Sequence, residues 1–265
     1  MLGFNVIAGS NAPPVTVRRI GPADIRNALA KGTDDFLAKP SHLAFLGLIY
    51  PLVCLSLWAV IFTSNALPLL YPLVSGFTLL GPVAAVGLYE ISRQRELGQE
   101  ASWVRAFDVR HARSIPSIMT LGLVLTAIFL FWLMTAQALY ESLYGPSAPR
   151  SYTQFIGEVL TTQRGWTLIL LGNAIGFIFA VVVLSVSVIS FPLLLDRDVE
   201  VAVAVQTSIR AVLANPVTMA LWGLIVAALI LIGSLTMFVG FAVIMPIIGH
   251  STWHLYRSVV VPPRP

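Results

Sequence analysis

The sequence predicts an all-α polytopic transmembrane bundle of about six spans in three hairpins, with short interfacial amphipathic helices between them. Three observations lead there. Only 11% of the 265 residues are charged and 57% are hydrophobic, with a mean hydropathy of +0.85; a soluble domain carries about 25% charged residues. The apolar residues gather in runs long enough to cross a hydrocarbon core of about 30 Å. The third is an internal repeat. Pro82, Tyr89 and Arg93 align without gaps on Pro246, Trp253 and Arg257, as expected if one structural unit recurs. The same composition excludes a disordered chain, a secreted disulfide scaffold and a soluble nucleic-acid binder. A single cysteine, Cys54, allows no internal disulfide.

Residues 1–20 read as an N-terminal arm without a charged n-region or a long apolar stretch, so no cleavable signal peptide is expected. The transmembrane domain is placed at 21–257 and a C-terminal tail at 258–265. Spans are predicted at 43–63, 66–89, 117–139 and 166–195. The first two are separated by Ser64-Asn65 alone, and the second is interrupted by Pro68, Pro72 and Pro82. The run 166–195 is long enough that it must tilt, protrude or kink near Gly172 or Gly176. The stretch 217–249 reads as one long helix or as two that turn near Gly233-Ser234. The repeat favours two, at 217–232 and 235–256.

Charge distribution gives the same count. With six spans, fourteen of the sixteen Lys and Arg fall on the side of both termini, leaving Arg150 and Arg164 opposite. The positive-inside rule then puts both termini in the cytoplasm. Upstream of each hairpin lies a short amphipathic stretch followed by proline: Ile25–Leu29 before Pro40, Val104–Phe107 before Pro116, and Ile209–Leu213 before Pro216. Helical spacing at Ile25, Leu29, Gly32 and Phe36 marks the first as a one-sided helix.

No Asp, Glu, Lys or Arg lies within 43–63, 66–89, 117–139, 166–195 or 217–249. Ionisable residues inside spans mark proton relays and ion paths, so this absence argues against ion-coupled transport. The sharpest chemical candidate is His250-Ser-Thr-Trp-His254. Histidines at i and i+4 share a helix face and suit a metal or a haem, although no third ligand is evident. The alternative is an interface anchor of Tyr89, Arg93, Trp253, Tyr256 and Arg257, with the histidines lying among aromatic and cationic neighbours. Arg93, Arg95, Arg105, Arg110 and Arg113, interspersed with acids, form a candidate surface for lipid headgroups or a protein partner. Gly172 and Gly176 form a G-x-x-x-G, serving internal packing or association. No phosphate-binding glycine loop, H-E-x-x-H or G-x-S-x-G is present.

Arg18-Arg19-Ile-Gly-Pro, Gly32-Thr-Asp-Asp-Phe36, Tyr50-Pro51 and Pro246-Ile-Ile-Gly-His250 through His254 to Arg257 together resemble a bacterial family of predicted integral membrane proteins, a domain of unknown function. The resemblance spans about 18–257. It implies a helical membrane fold in the bacterial inner membrane and carries no activity or site residues. The expectation for function is a non-catalytic accessory, scaffold or assembly subunit of a larger inner-membrane complex, such as a respiratory oxidase. Its partners would be the lipid bilayer and other membrane subunits, with no nucleic acid and no cofactor. A transporter or channel for a neutral or lipid-like solute is the alternative, and metal or haem binding at His250 and His254 a lesser one.

Overall fold

The computed structural model describes residues 15–38, 67–77, 81–100, 114–146, 152–235 and 240–261. The predicted span 43–63, the amphipathic stretch 104–107 and residues Arg105, Arg110 and Arg113 lie outside them. The described residues are helical, apart from turns and one isolated antiparallel bridge between Val17 and Val260.

Helix α1, Pro22–Ala38, begins where Pro22 supplies a helical φ, and the Asp24 carboxylate accepts from the Gly21 amide at 2.8 Å. Both favour a helix start. It buries Ile25, Ala28, Gly32, Asp35 and Phe36 along one face.

The predicted second span is not one helix. A 3-10 turn at Leu67–Leu69 leads to α2, Leu70–Phe77, then to α3, Gly81–Ala84, and α4, Val86–Glu96. Pro72 and Pro82 each fall in the first turn of their helix, where a missing amide donor is tolerated. Helix α4 also runs past the predicted end at 89, carrying Arg93 and Arg95 into ordered helix.

Helix α5, Ile115–Tyr144, is 30 residues long and stops at Gly145, whose φ of +83° suits glycine. It extends beyond the predicted 139. Helix α6, Tyr152–Thr161, lies between the predicted third and fourth spans. Helix α7, Gln163–Ser187, is capped by the Thr162 hydroxyl, which accepts from the Gly165 amide. The long fourth span breaks at Val188–Ile189, not at either glycine, before α8, Ser190–Asp196. Pro192 has no amide to give the Val188 carbonyl and its ring crowds that turn. The Ser208 hydroxyl accepts the Ile189 amide at 3.2 Å. Gly176 instead makes room for Trp132 of α5, whose ring would lie 3.1 Å from an added Cβ. The G-x-x-x-G therefore serves packing within the chain.

The final apolar stretch is two helices, α10, Pro216–Leu235, and α11, Phe241–Val259, preceded by the amphipathic α9, Val201–Ala214. Among the described residues, three helical segments are long and apolar enough to cross a membrane: Ile115–Tyr144, Gln163–Asp196 and Pro216–Gly233. Helix α11 has 19 residues yet is not among them. Its second half turns polar at His250, Ser251, Thr252, His254 and Arg257. The expected span 235–256 thus gives way to a helix whose C-terminal half belongs to a polar head, packed against α1 and α4.

That head also joins the two termini. The Arg18 amide donates to the Val259 carbonyl, the Val261 amide to that of Thr16, and Asn215 clasps Ile20 and Arg18. Residues 15–20 of the arm and the start of the tail, expected as segments apart from the membrane domain, are structurally one edge of it.

Candidate functional site

The polar residues of the head converge where α1, α4 and α11 meet. Helices α1 and α11 approach so closely at Gly32 that an added Cβ would stand 2.5 Å from the Ser251 amide nitrogen. This contact brings Asp35, one turn further along the same face, against α4 and α11. Asp35 is 6% exposed, Ser92 and His250 are fully buried, and His254 is nearly so.

Asp35 is the hub. Its Oδ1 accepts from Arg95. Its Oδ2 accepts from the Ser92 hydroxyl at 2.5 Å and meets His254 Nε2 at 2.8 Å. Ser92 Oγ lies 2.8 Å from His250 Nδ1. A hydroxyl has one hydrogen, and Ser92 gives it to Asp35. Neutral His250 therefore carries its proton on Nδ1 and donates to Ser92, which leaves Nε2 bare. That nitrogen is buried without a well-aligned hydrogen-bond partner among the described residues.

Electrostatics follow from these contacts. Burial alone would raise the Asp35 pKa, but hydrogen bonds from His254 and Ser92 and the nearby imidazoles together hold it below the usual carboxylate value. Burial pushes His250 down to about 4, against the upward pull of the Asp35 carboxylate. His250 thus sits neutral within the network.

A second cluster continues along α11. Glu96 accepts Trp253 Nε1 at 3.0 Å and Arg257 Nε at 2.9 Å. Asp196 accepts the Tyr256 hydroxyl at 2.5 Å. Arg93 is held bidentately by Glu90. An open cleft of about 580 Å³ lies beside both clusters, reaching Asp35, Arg95, Glu96, His254 and Arg257.

The sequence-predicted residues are therefore brought together in part, and differently from expectation. His250 and His254 do sit in one network, but each presents a ring nitrogen to Ser92 or Asp35. Among the described residues, no group of three or more His, Cys, Asp or Glu is placed to hold a metal. Tyr89, Trp253 and Tyr256, expected at the lipid boundary, are 1–2% exposed. They are interior side chains and cannot touch headgroups. Arg93, Arg95 and Arg257 form ion pairs within the head.

Sequence reasoning missed Asp35, Ser92, Glu96 and Asp196. For Asp35 a signal existed: it sits beside Phe36 on the apolar stripe of α1, where a carboxylate is out of place unless paired. The repeat also acquires a structural meaning. Its two copies, α4 and α11, pack on each other, with Gly249 against Leu88 and His250 against Ser92.

Residues 69–196, from α2 through the end of α8, match the model of a family described as predicted integral membrane proteins (DUF2189). Over this segment, just under half of the chain, the protein is similar to a family without assigned function, and its long apolar helices are those of an integral membrane protein. The matched segment contains Ser92, Arg95, Glu96 and Asp196, while Asp35 and the His250–His254 segment lie outside it. Comparison with curated proteins and with solved structures finds no significant match.

Proposed function

We propose that this chain is a non-catalytic subunit of a larger inner-membrane assembly, with its cation-rich head on the cytoplasmic side and its spans offered to neighbouring subunits. One observation supports the reading above others: the polar side chains suited to chemistry hold helices together, whereas the spans present bare apolar faces. Ser92 and His250 are sealed from solvent, and Asp35 is engaged at both oxygens. In contrast, Met119, Leu123, Phe131 and Met134 of α5, Leu170 and Phe177 of α7, and Val217 and Leu224 of α10 are each more than half exposed. Only 28% of the apolar window of α5 and 22% of that of α10 is buried. Surfaces of this kind meet lipid or other transmembrane helices.

The test is a gentle pull-down of the tagged chain from native membranes in mild detergent, with mass spectrometry and an absorption spectrum of the eluate. A stoichiometric membrane partner is expected. A chain that always elutes alone would overturn the reading and send the question to solute flux in proteoliposomes.

A further inference from the structure

The cleft between α1, α4 and α11 has an uneven inventory of hydrogen-bonding groups. Two of its lining carboxylates are fully engaged by the protein. Asp35 is taken at Oδ1 by Arg95 and at Oδ2 by Ser92 and His254; Glu96 is taken at Oε1 by Arg257 and at Oε2 by Trp253. Donors remain in excess. An arginine carries five N–H groups and a lysine three. Arg95 commits Nη1 alone, and Arg257 commits Nε and Nη1. Arg18 is fixed through Nε and Nη2 by the Ser258 and Arg257 carbonyls and forms no ion pair among the described residues. Lys31 and Asn27, both exposed and both lining the cleft, form no hydrogen bond or ion pair among the described residues. Among the described residues, Asp34 is the one lining carboxylate whose oxygens stay unengaged.

We propose that this cleft is a binding site for a phosphate-bearing anion, gripped by Lys31 and Arg18 and by the uncommitted N–H groups of Arg95 and Arg257. A phosphate is an anion rich in acceptor oxygens, the complement of a wall on which uncommitted donors outnumber free acceptors, Asp34 being the exception. The ion pairs of Arg95 and Arg257 hold those guanidiniums in place before the ligand arrives, which limits the ordering cost of binding. A volume of about 580 Å³ accommodates a phosphate with a small organic group. Both a soluble phosphate ester and a phospholipid headgroup carry this chemistry.

The test uses the full chain in maltoside micelles, which contain no phosphate. Calorimetric titration with inorganic phosphate and with glycerol 3-phosphate reads the soluble source. Native mass spectrometry of protein extracted from membranes reads retained phospholipid. Lys31→Gln removes an exposed, unpartnered side chain and leaves the fold intact; it is expected to weaken binding about tenfold, the weight of one charge-assisted contact. Lys31→Arg should restore binding, and Asp34→Asn should tighten it. Saturable phosphate binding with this pattern assigns a soluble ester. Lys31-dependent phospholipid retention without phosphate binding assigns a headgroup. No binding in either arm, or binding indifferent to Lys31 and Asp34, overturns the proposal.

Discussion

Replacing Gly32 by alanine tests the architecture of the head at its tightest point. The new Cβ would stand 2.1 Å from Ser251 Oγ, 2.5 Å from its amide nitrogen and 2.7 Å from its Cα. A side-chain rotation can relieve the first contact but not the other two, which are backbone. Reaching ordinary van der Waals separation requires α1 and α11 to part by about 1 Å, and overpacking of this kind costs about 1–3 kcal/mol. Asp35 lies one turn along the same face, so the 2.8 Å contact to His254 would stretch to about 3.8 Å, beyond a hydrogen bond. Losing a hydrogen bond to a charged group adds about 1.5–3 kcal/mol. The expected destabilisation is therefore about 2.5–6 kcal/mol. Thermal unfolding in detergent, followed by intrinsic tryptophan fluorescence, reads it. Gly21→Ala is the control, since nothing lies within 4 Å of its added Cβ. If Gly32→Ala unfolds within about 0.5 kcal/mol of the parent, α1 does not dock on α11 as described.

Three further outcomes follow from the same contacts. Asp35→Asn keeps the shape but removes the charge that Arg95 and His254 meet; a loss of about 2–4 kcal/mol is expected, with faster amide exchange in α1. Lowering the pH should also destabilise the protein. The folded His250 value lies below its ordinary 6.5, so between about pH 6.5 and 4 the unfolded chain binds a proton that the folded chain refuses. Stability is then complete above pH 6.5 and falls by about 2–3 kcal/mol towards pH 4.5. Asp35, also lowered, adds its own loss only under more acidic conditions. His250→Gln should flatten the profile in that window, and an unchanged slope would refute the assignment. Finally, Thr162→Ala removes the cap of α7 and is expected to cost about 1 kcal/mol, measured by chemical unfolding of the same preparation.

The amino-acid sequence alone determined that this is a multi-helix membrane protein, because hydrophobic length and the scarcity of charge are local, additive properties that bilayer thickness converts directly into spans. Helices α5, α7 and α10 were legible for that reason. Breaks and ends were less legible. Pro192 broke the fourth span at Val188–Ile189, while Gly172 and Gly176, the more obvious suspects, took up packing against Leu139 and Trp132. The proline removes a backbone donor wherever it falls, whereas a helical glycine bends nothing if a neighbouring ring fills its space.

Only the tertiary structure decided the site. Asp35, Ser92 and His250 are separated by 57 and 158 residues, and no spacing rule links three positions on three helices. Their meeting depends on the absence of a Cβ at Gly32, which lets two backbones close to near contact. Tyr89, Trp253 and Tyr256 have the composition of a lipid-boundary belt, yet they are buried. Amphipathic aromatic residues suit a membrane interface and a hydrogen-bonded protein interior equally well, and only the packing of α1 over α11 distinguishes the two.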